Sequence, residues 1–214
     1  MIQRPLLIAV EGCDGTGKTT LVAALVRAFL SLGIVATSIK RPAKDALAAF
    51  YCEGQNCTNA EILAMMNDDC RAHLAVARGL QANGTPIVIL DRHYLSAAIY
   101  QGGDDWEGEF ERQREMWGEP DVWIHCTSYG SDAVARINAR ENDPQKHIDE
   151  DVVIDRMCKY QHIFDEMIKV RPFEVWLDGP ATGFTMLVSL GFTSANNLTA
   201  DECAAWIVER LKTK

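Results

Sequence analysis

The sequence lacks any long hydrophobic run. No stretch of its 214 residues approaches the roughly 18 consecutive apolar residues that cross a bilayer, which argues against a helical membrane anchor. The opening "MIQRPLLIAVEG" also lacks signal-peptide architecture, because its short apolar run turns straight into a glycine-rich loop; a cytoplasmic protein is the expectation (host cytoplasm for a viral one). An excess of positive charge is missing too. With 21 Lys and Arg against 30 Asp and Glu the net charge is −9, which argues against a broad basic surface for duplex DNA while leaving room for a small local basic funnel. A disulfide or zinc framework is not visible. The seven cysteines are odd in number and scattered, and no second pair or His-x-x-x-His follows Cys52 and Cys57, so reduced thiols are expected. Repeats, low-complexity segments and linkers are likewise absent, and the length suits a single domain over residues 1–214.

What is present is a regular alternation. Short runs rich in Val, Ile and Leu occupy Leu6–Val10, Ile34–Ile39, Pro86–Leu90, Val122–Cys126 and Phe173–Leu177, as strands buried on both faces require. Amphipathic segments lie between them. Lys18 to about Leu32 puts Val22, Leu25, Val26 and Phe29 on one stripe, and Asn59–Gln81, opened by the cap-like "TNAE", spaces Ile62, Met66, Cys70 and Leu74 four apart. Asp149–Lys169 aligns Val153, Met157, Tyr160, Phe164 and Met167, and "TADECAAWIVERLKTK" reads as a final helix with Cys203, Trp206, Ile207 and Leu211 inward. Residues 181–192, "ATGFTMLVSLGF", are apolar without a clean period. Five strands alternating with helices predict a three-layer α/β domain around a five-stranded parallel sheet. Ligands then sit at the carboxyl ends of the strands.

The motifs fall where that architecture needs them. "EGCDGTGKTT" follows the first apolar run, and Gly12, Gly15 and Gly17 let the backbone curl so that amide hydrogens point inward at phosphates. The loop and the start of its helix comprise Gly12, Cys13, Asp14, Gly15, Thr16, Gly17, Lys18, Thr19 and Thr20. In this pattern the lysine reaches the β- and γ-phosphates and the Thr19 hydroxyl can ligate Mg²⁺. Asp14, an acid so near a transferred phosphoryl group, fits a contact to a hydroxyl or metal-bound water of a second substrate. It also fits a purely loop-structuring role. After the third run comes "DRHYLS". Asp91 ends the strand beside the loop, near the Mg²⁺ position, and Arg92 offers a planar fork for a phosphate. Transfer between two anions needs cations on both sides, so Arg92 suits an acceptor phosphate; His93 reads as packing or a spacer.

These stretches, with "LDRHYLSAAIYQGG" and "EPDVWIHCTSYGSDAVARINAR", resemble the thymidylate kinase family. Its motifs are E-G-x-D-G-x-G-K-[ST]-T, then D-R-[YFH] with S-x-x-A-Y-Q-G, then P-D, a strand and an A-R-I-x-A-R helix. The likeness runs from about residue 5 to 170 and implies a divergent member, with a viral origin open. The implied fold is the P-loop kinase fold with five parallel strands and a short lid at about 138–149. The implied reaction moves the γ-phosphate of ATP to the phosphate of dTMP with Mg²⁺. By position, Lys18 and Thr19 would hold ATP and Mg²⁺, Asp14 would lie near the acceptor sugar, and Asp91 near the metal. Arg92 would meet the acceptor phosphate, Tyr100 and Gln101 the acceptor nucleoside, Arg71 the base or phosphate, and Arg41 matches the arginine after the second strand. The partner implied is a small-molecule nucleotide, with no membrane and with a homodimer left open.

The departures matter. "KRPAKD" stands where the family carries R-E-P-G-G-T or R-F-P, and Asn67 stands where a phenylalanine stacks on thymine, with Met65 and Met66 beside it. Loss of that ring removes about 1–3 kcal/mol of stacking. The lid, "INARENDPQKHID", carries Arg136, Arg140 and Lys146 but has Asp143-Pro144 in place of the family's Asp-Arg pair; Arg140 is the chosen lid cation. Two alternatives stay open. Divergent relatives in bacterial viruses phosphorylate the hydroxymethyl group of 5-hydroxymethyluracil within DNA, which the missing ring fits and the charge of −9 does not. The other is a nucleotide-binding switch without kinase activity. Against it, a guanine-reading Asn-Lys-x-Asp is absent and Asp91-Arg92-His93 directly follows the third run where a switch places Asp-x-x-Gly.

Overall fold

A computed structural model describes residues 5–42, 57–140, 148–170, 186–191 and 200–212. Strands β1 (Leu6–Glu11), β2 (Ala36–Lys40), β3 (Ile87–Asp91), β4 (Val122–Thr127) and β5 (Met186–Gly191) form one sheet in the order β2-β3-β1-β4-β5. All neighbours run parallel, with Val10 opposite Asp91 and Glu11 opposite His125. The carboxyl ends of β1, β3 and β4 therefore meet at one edge, where Glu11, Asp91 and the start of the glycine loop converge.

The helices are α1 (Lys18–Ser31), α2 (Asn59–Ala82), α3 (Tyr94–Gln101), α4 (Trp106–Trp117), α5 (Gly130–Asn138), α6 (Glu150–Val170) and α7 (Ala200–Lys212). Strand alternation divides the core between them. Leu6, Ile8 and Val10 of β1 face Leu25 and Phe29 of α1 and Ile207 of α7, whereas Ala9, Val88 and Leu90 face Leu74 of α2, Leu95 of α3 and Tyr160 of α6. Helices on both faces remove the central strands from water, which is why β1, β3 and β4 are buried almost throughout, whereas the edge strand β2, with Ser38 and Lys40 exposed, alternates. Trp123, completely buried in β4, anchors the second face with edge-on rings from Tyr94 (5.4 Å) and Phe164 (6.4 Å). The "TNAE" start of α2 is a capping box: Thr58 N–H donates to Glu61 Oε2 at 2.7 Å and Glu61 N–H donates back to Thr58 Oγ1.

The α/β class, the parallel sheet and the three layers are as the alternation predicts. The described fifth strand is Met186–Gly191, inside the apolar stretch without a period, and it pairs with all of β4. Phe173–Leu177 lies outside the described residues. A six-residue apolar run ending at glycine carries no periodicity signal of its own, and only pairing with a neighbour identifies it as a strand. Helix α4 has no counterpart among the expected elements. Its charged "EGEFERQREM" hides a narrow stripe of Trp106, Phe110, Gln113 and Trp117.

Candidate active site

The glycine loop connects β1 to α1 through positive-φ turns at Gly12 (149°), Gly15 (79°) and Gly17 (94°). Two of these glycines are required by close approach as well. A β-carbon on Gly12 would collide with the Cys126 carbonyl oxygen, and one on Gly15 with the Ala133 carbonyl oxygen. No side chain caps α1, so its first-turn N–H groups remain for an anion. Lys18 is 6% exposed, and its Nζ donates to Cys13 O at 2.6 Å across the loop. Burial, assisted by the nearby Arg92 charge, lowers its pKa to about 8. A buried ammonium in a ring of amides is a site that an oligophosphate would stabilise.

Beside it, Thr19 Oγ1 donates to Asp91 Oδ2 at 2.7 Å. A hydroxyl and a carboxylate converging beside a glycine-rich loop could supply two oxygens to a divalent cation such as Mg²⁺. Thr16 Oγ1 instead donates to Cys13 O at 2.8 Å, which braces the loop, while Thr20 faces outward.

Within the same loop, Asp14 is held by Arg92 through Nη2 and by Tyr100, whose hydroxyl donates to Asp14 Oδ2 at 2.9 Å and accepts from Asp14 N–H at 3.1 Å. Arg92 has φ 78°, a left-handed conformation unfavourable for a side-chain-bearing residue. Its backbone N–H donates to Val10 O at 3.0 Å and its Nη1 to Ser96 Oγ at 2.9 Å, so the strain is held by bonds that aim the guanidinium at Asp14. Burial, reinforced by the Asp14 charge, raises the Tyr100 pKa well above the ordinary range, so the phenol stays a donor. Tyr100 also receives the guanidinium of Arg156 from α6, 4.3 Å above its ring.

Beneath this cluster lies a residue not singled out from the sequence. Glu11, completely buried, accepts from His93 N–H (2.7 Å), Ser96 N–H (3.2 Å) and Ser96 Oγ (2.6 Å). It ties the start of α3 to the end of β1 and, through Ser96, orients Arg92; burial pushes its pKa up against those donors. An acid closing an otherwise apolar strand, as Asp91 does, was the available signal. His93 is buried, burial holds its pKa well down, and its ring lies against Tyr94 and Trp123, in keeping with packing.

The remaining expected residues are distributed differently. Arg41 is 4% exposed and committed inward: Nε pairs with Asp69 at 2.9 Å and Nη2 donates to Met66 O at 3.0 Å. Arg71 is exposed, paired with the equally exposed Asp68 and lying 5.9 Å above Trp117. Asn67 is half-buried and accepts from Gln113 of α4 at 2.6 Å. Gln101 ends α3, half-buried. Arg140 is exposed just beyond α5, and Asp143, Pro144 and Lys146 lie outside the described residues. Among the described residues, Arg136 Nη1 donates to the loop at Gly15 O, 3.0 Å.

A three-layer sheet with a phosphate loop, a Thr-Asp pair and an Arg-Asp-Tyr cluster facing the same loop defines a nucleotide kinase. Comparison with known proteins gives the family. The thymidylate kinase family model matches residues 10–172, and the chain belongs to that family. It is 28% identical over 153 residues to a thymidylate kinase of Leptospira interrogans, covering 67% of this chain and 74% of that one. It is 31% identical over 149 residues to one of Xanthomonas euvesicatoria, covering 65% and 63%. Among solved structures it is similar to a deoxyadenosine kinase from M. mycoides with dCMP and dCDP bound, at TM-score 0.62 and 17% identity over 98% of this chain and 100% of that chain, a likeness of fold. Among the described residues no helix is long and apolar enough to cross a membrane.

Proposed function

We propose that the protein transfers the γ-phosphate of ATP, with Mg²⁺, to the phosphate of a thymidine-like pyrimidine deoxynucleotide, most simply dTMP to dTDP. The observation that carries this is the Asp14-Arg92-Tyr100 cluster on the same loop as Lys18. A nucleotide switch has no need of a strained, half-buried arginine beside its loop; a transfer between two phosphates does. The thymidylate kinase names of the curated relatives support the acceptor.

In this reading the loop amides and Lys18 bind the β- and γ-phosphates, and Thr19 and Asp91 hold the Mg²⁺, which supplies charge neutralisation. Arg92 carries the acceptor phosphate, whose oxygen attacks the γ-phosphorus as the bond to the ADP oxygen breaks. Asp14 and Tyr100 position Arg92 and the acceptor sugar. Arg140, Arg41, Arg71 and Gln101 remain candidates for acceptor or lid contacts. Arg136 meets the loop at Gly15 O, and Arg41 fixes α2 through Asp69.

The test is incubation with γ-labelled ATP and Mg²⁺ against dTMP, dUMP, 5-hydroxymethyl-dUMP and DNA containing 5-hydroxymethyluracil. Label in a nucleoside diphosphate is expected. Label only in DNA would replace the acceptor with a nucleic acid, and hydrolysis without label in any acceptor would refute the kinase reading.

A further inference from the structure

Ser96 stands where side chains from three other parts of the fold meet. Its Oγ lies 2.9 Å from Arg92 Nη1, 2.6 Å from Glu11 Oε2 at the end of β1, and 2.8 Å from the Tyr160 hydroxyl of α6. The inventory of hydrogens fixes every direction. A guanidinium only donates, and a serine hydroxyl has one hydrogen and two lone pairs. Arg92 fills one lone pair, and the Ser96 hydrogen goes to the Glu11 carboxylate. The place left on Ser96 is a lone pair, so Tyr160 donates into it. A protonated Glu11 donating to Ser96 would turn the Ser96 hydrogen onto Tyr160. The Tyr160 hydrogen would then have, among the described residues, only Glu11 Oε2 at 3.5 Å, too long for a good bond.

Both ends of this chain are fixed. Glu11 and Tyr160 are completely buried, and Glu11 Oε1 is occupied by the His93 and Ser96 N–H groups. Burial, reinforced by the Glu11 charge, raises the Tyr160 pKa well above the ordinary range, so the phenol remains a donor. Its ring lies along His125 at 6.2 Å, and two turns earlier α6 meets the glycine loop, where Val153 O accepts from Cys13 Sγ at 3.8 Å. With its hydrogen and one lone pair committed, the Ser96 hydroxyl cannot turn, and it offers Arg92 one place only.

We propose that Tyr160 is a positioning residue for Arg92: through the Ser96 hydroxyl it sets the direction of a hydrogen-bond chain that ends on Glu11, and so holds the guanidinium ready for the acceptor phosphate. The proposal rests on Arg92 carrying that phosphate, as inferred above. Helix α6 thereby contributes to the acceptor side through a hydroxyl that touches no substrate, and the left-handed backbone of Arg92 is held from three elements rather than one.

Steady-state transfer from ATP to dTMP by the full chain tests it, with a KM determined for each substrate. Tyr160→Phe keeps the ring and removes only the hydroxyl; it should raise the KM for dTMP about fivefold and leave that for ATP unchanged. Glu11→Gln sets donor against donor in either amide orientation: its NH₂ meets the His93 and Ser96 N–H groups, or it meets a Ser96 oxygen whose lone pairs Arg92 and Tyr160 already fill. The KM for dTMP should then rise about tenfold or more. Because Tyr160 acts through Ser96, Tyr160→Phe should add nothing in a Ser96→Ala background. A merely structural role would lower the folded fraction, and with it the maximal rate, without moving either KM. An unchanged KM for dTMP in Tyr160→Phe, or effects of Tyr160→Phe and Ser96→Ala that multiply, overturns the positioning role while the transfer itself leaves the kinase reading intact. Absence of transfer to dTMP by the wild type overturns both.

Discussion

Lys18 should stabilise catalysis and destabilise the fold. Its burial lowers the pKa from 10.5 to about 8, and at about 1.4 kcal/mol per unit the charged side chain costs about 3 kcal/mol in the unliganded protein. Its bond to Cys13 O returns about 1 kcal/mol, leaving a net cost of about 2 kcal/mol. Lys18→Met removes the charge while keeping the apolar stem, so it should raise the melting temperature by about 4–8 °C at pH 7 while abolishing transfer. The sign with pH follows from the lowered folded-state value. Below about pH 8 the lysine is charged in both states and the full cost is present; between about 8 and 10.5 the unfolded chain holds the extra proton, so wild-type stability rises relative to the variant. Calorimetric melts of both proteins at pH 7, 9 and 10.5 measure the gap. A variant no more stable than wild type at pH 7, or a gap that widens with pH, would refute the burial account. Saturating ATP should close the gap from the other direction, by stabilising only the wild type.

Three further outcomes are expected. Arg92→Lys keeps the charge but loses the fork that spans Asp14 and Ser96; turnover should fall about 10²-fold with the KM for ATP little changed, measured by steady-state kinetics. Gly15→Ala meets both a φ of 79° and the Ala133 carbonyl, so it should cost about 2 kcal/mol or more and remove the thermal shift that ATP produces. His125, buried and stacked at 4.4 Å on Phe164, has its pKa lowered by burial from 6.5 to about 4. Stability should therefore drop as pH falls from 6.5 towards 4, and His125→Phe should remove about 3 kcal/mol of that loss near pH 4, seen in urea titrations at the two pH values.

The sequence by itself determined the parts of this protein that local rules control. The phosphate loop was legible because Gly12, Gly15, Gly17 and Lys18 must occur at fixed spacing between a strand and a helix, and the parallel sheet because doubly buried strands must be apolar. The end of β3 was legible for the same reason, since an Asp-Arg pair after an apolar run can only emerge beside the loop. Tertiary structure decided everything that depends on a partner distant in the chain. β5 became a strand only by lying along β4. Glu11 became the support of Arg92 only because α3 begins above it. Arg41 was claimed by Asp69 of α2, a buried pairing 28 residues away that no spacing rule anticipates. At Asn67 the sequence showed only a missing ring. The orientation of its amide came from Gln113 and Trp117, on a helix the sequence pattern had hidden, because a hydrogen-bond direction is a property of two surfaces brought together and not of either residue alone.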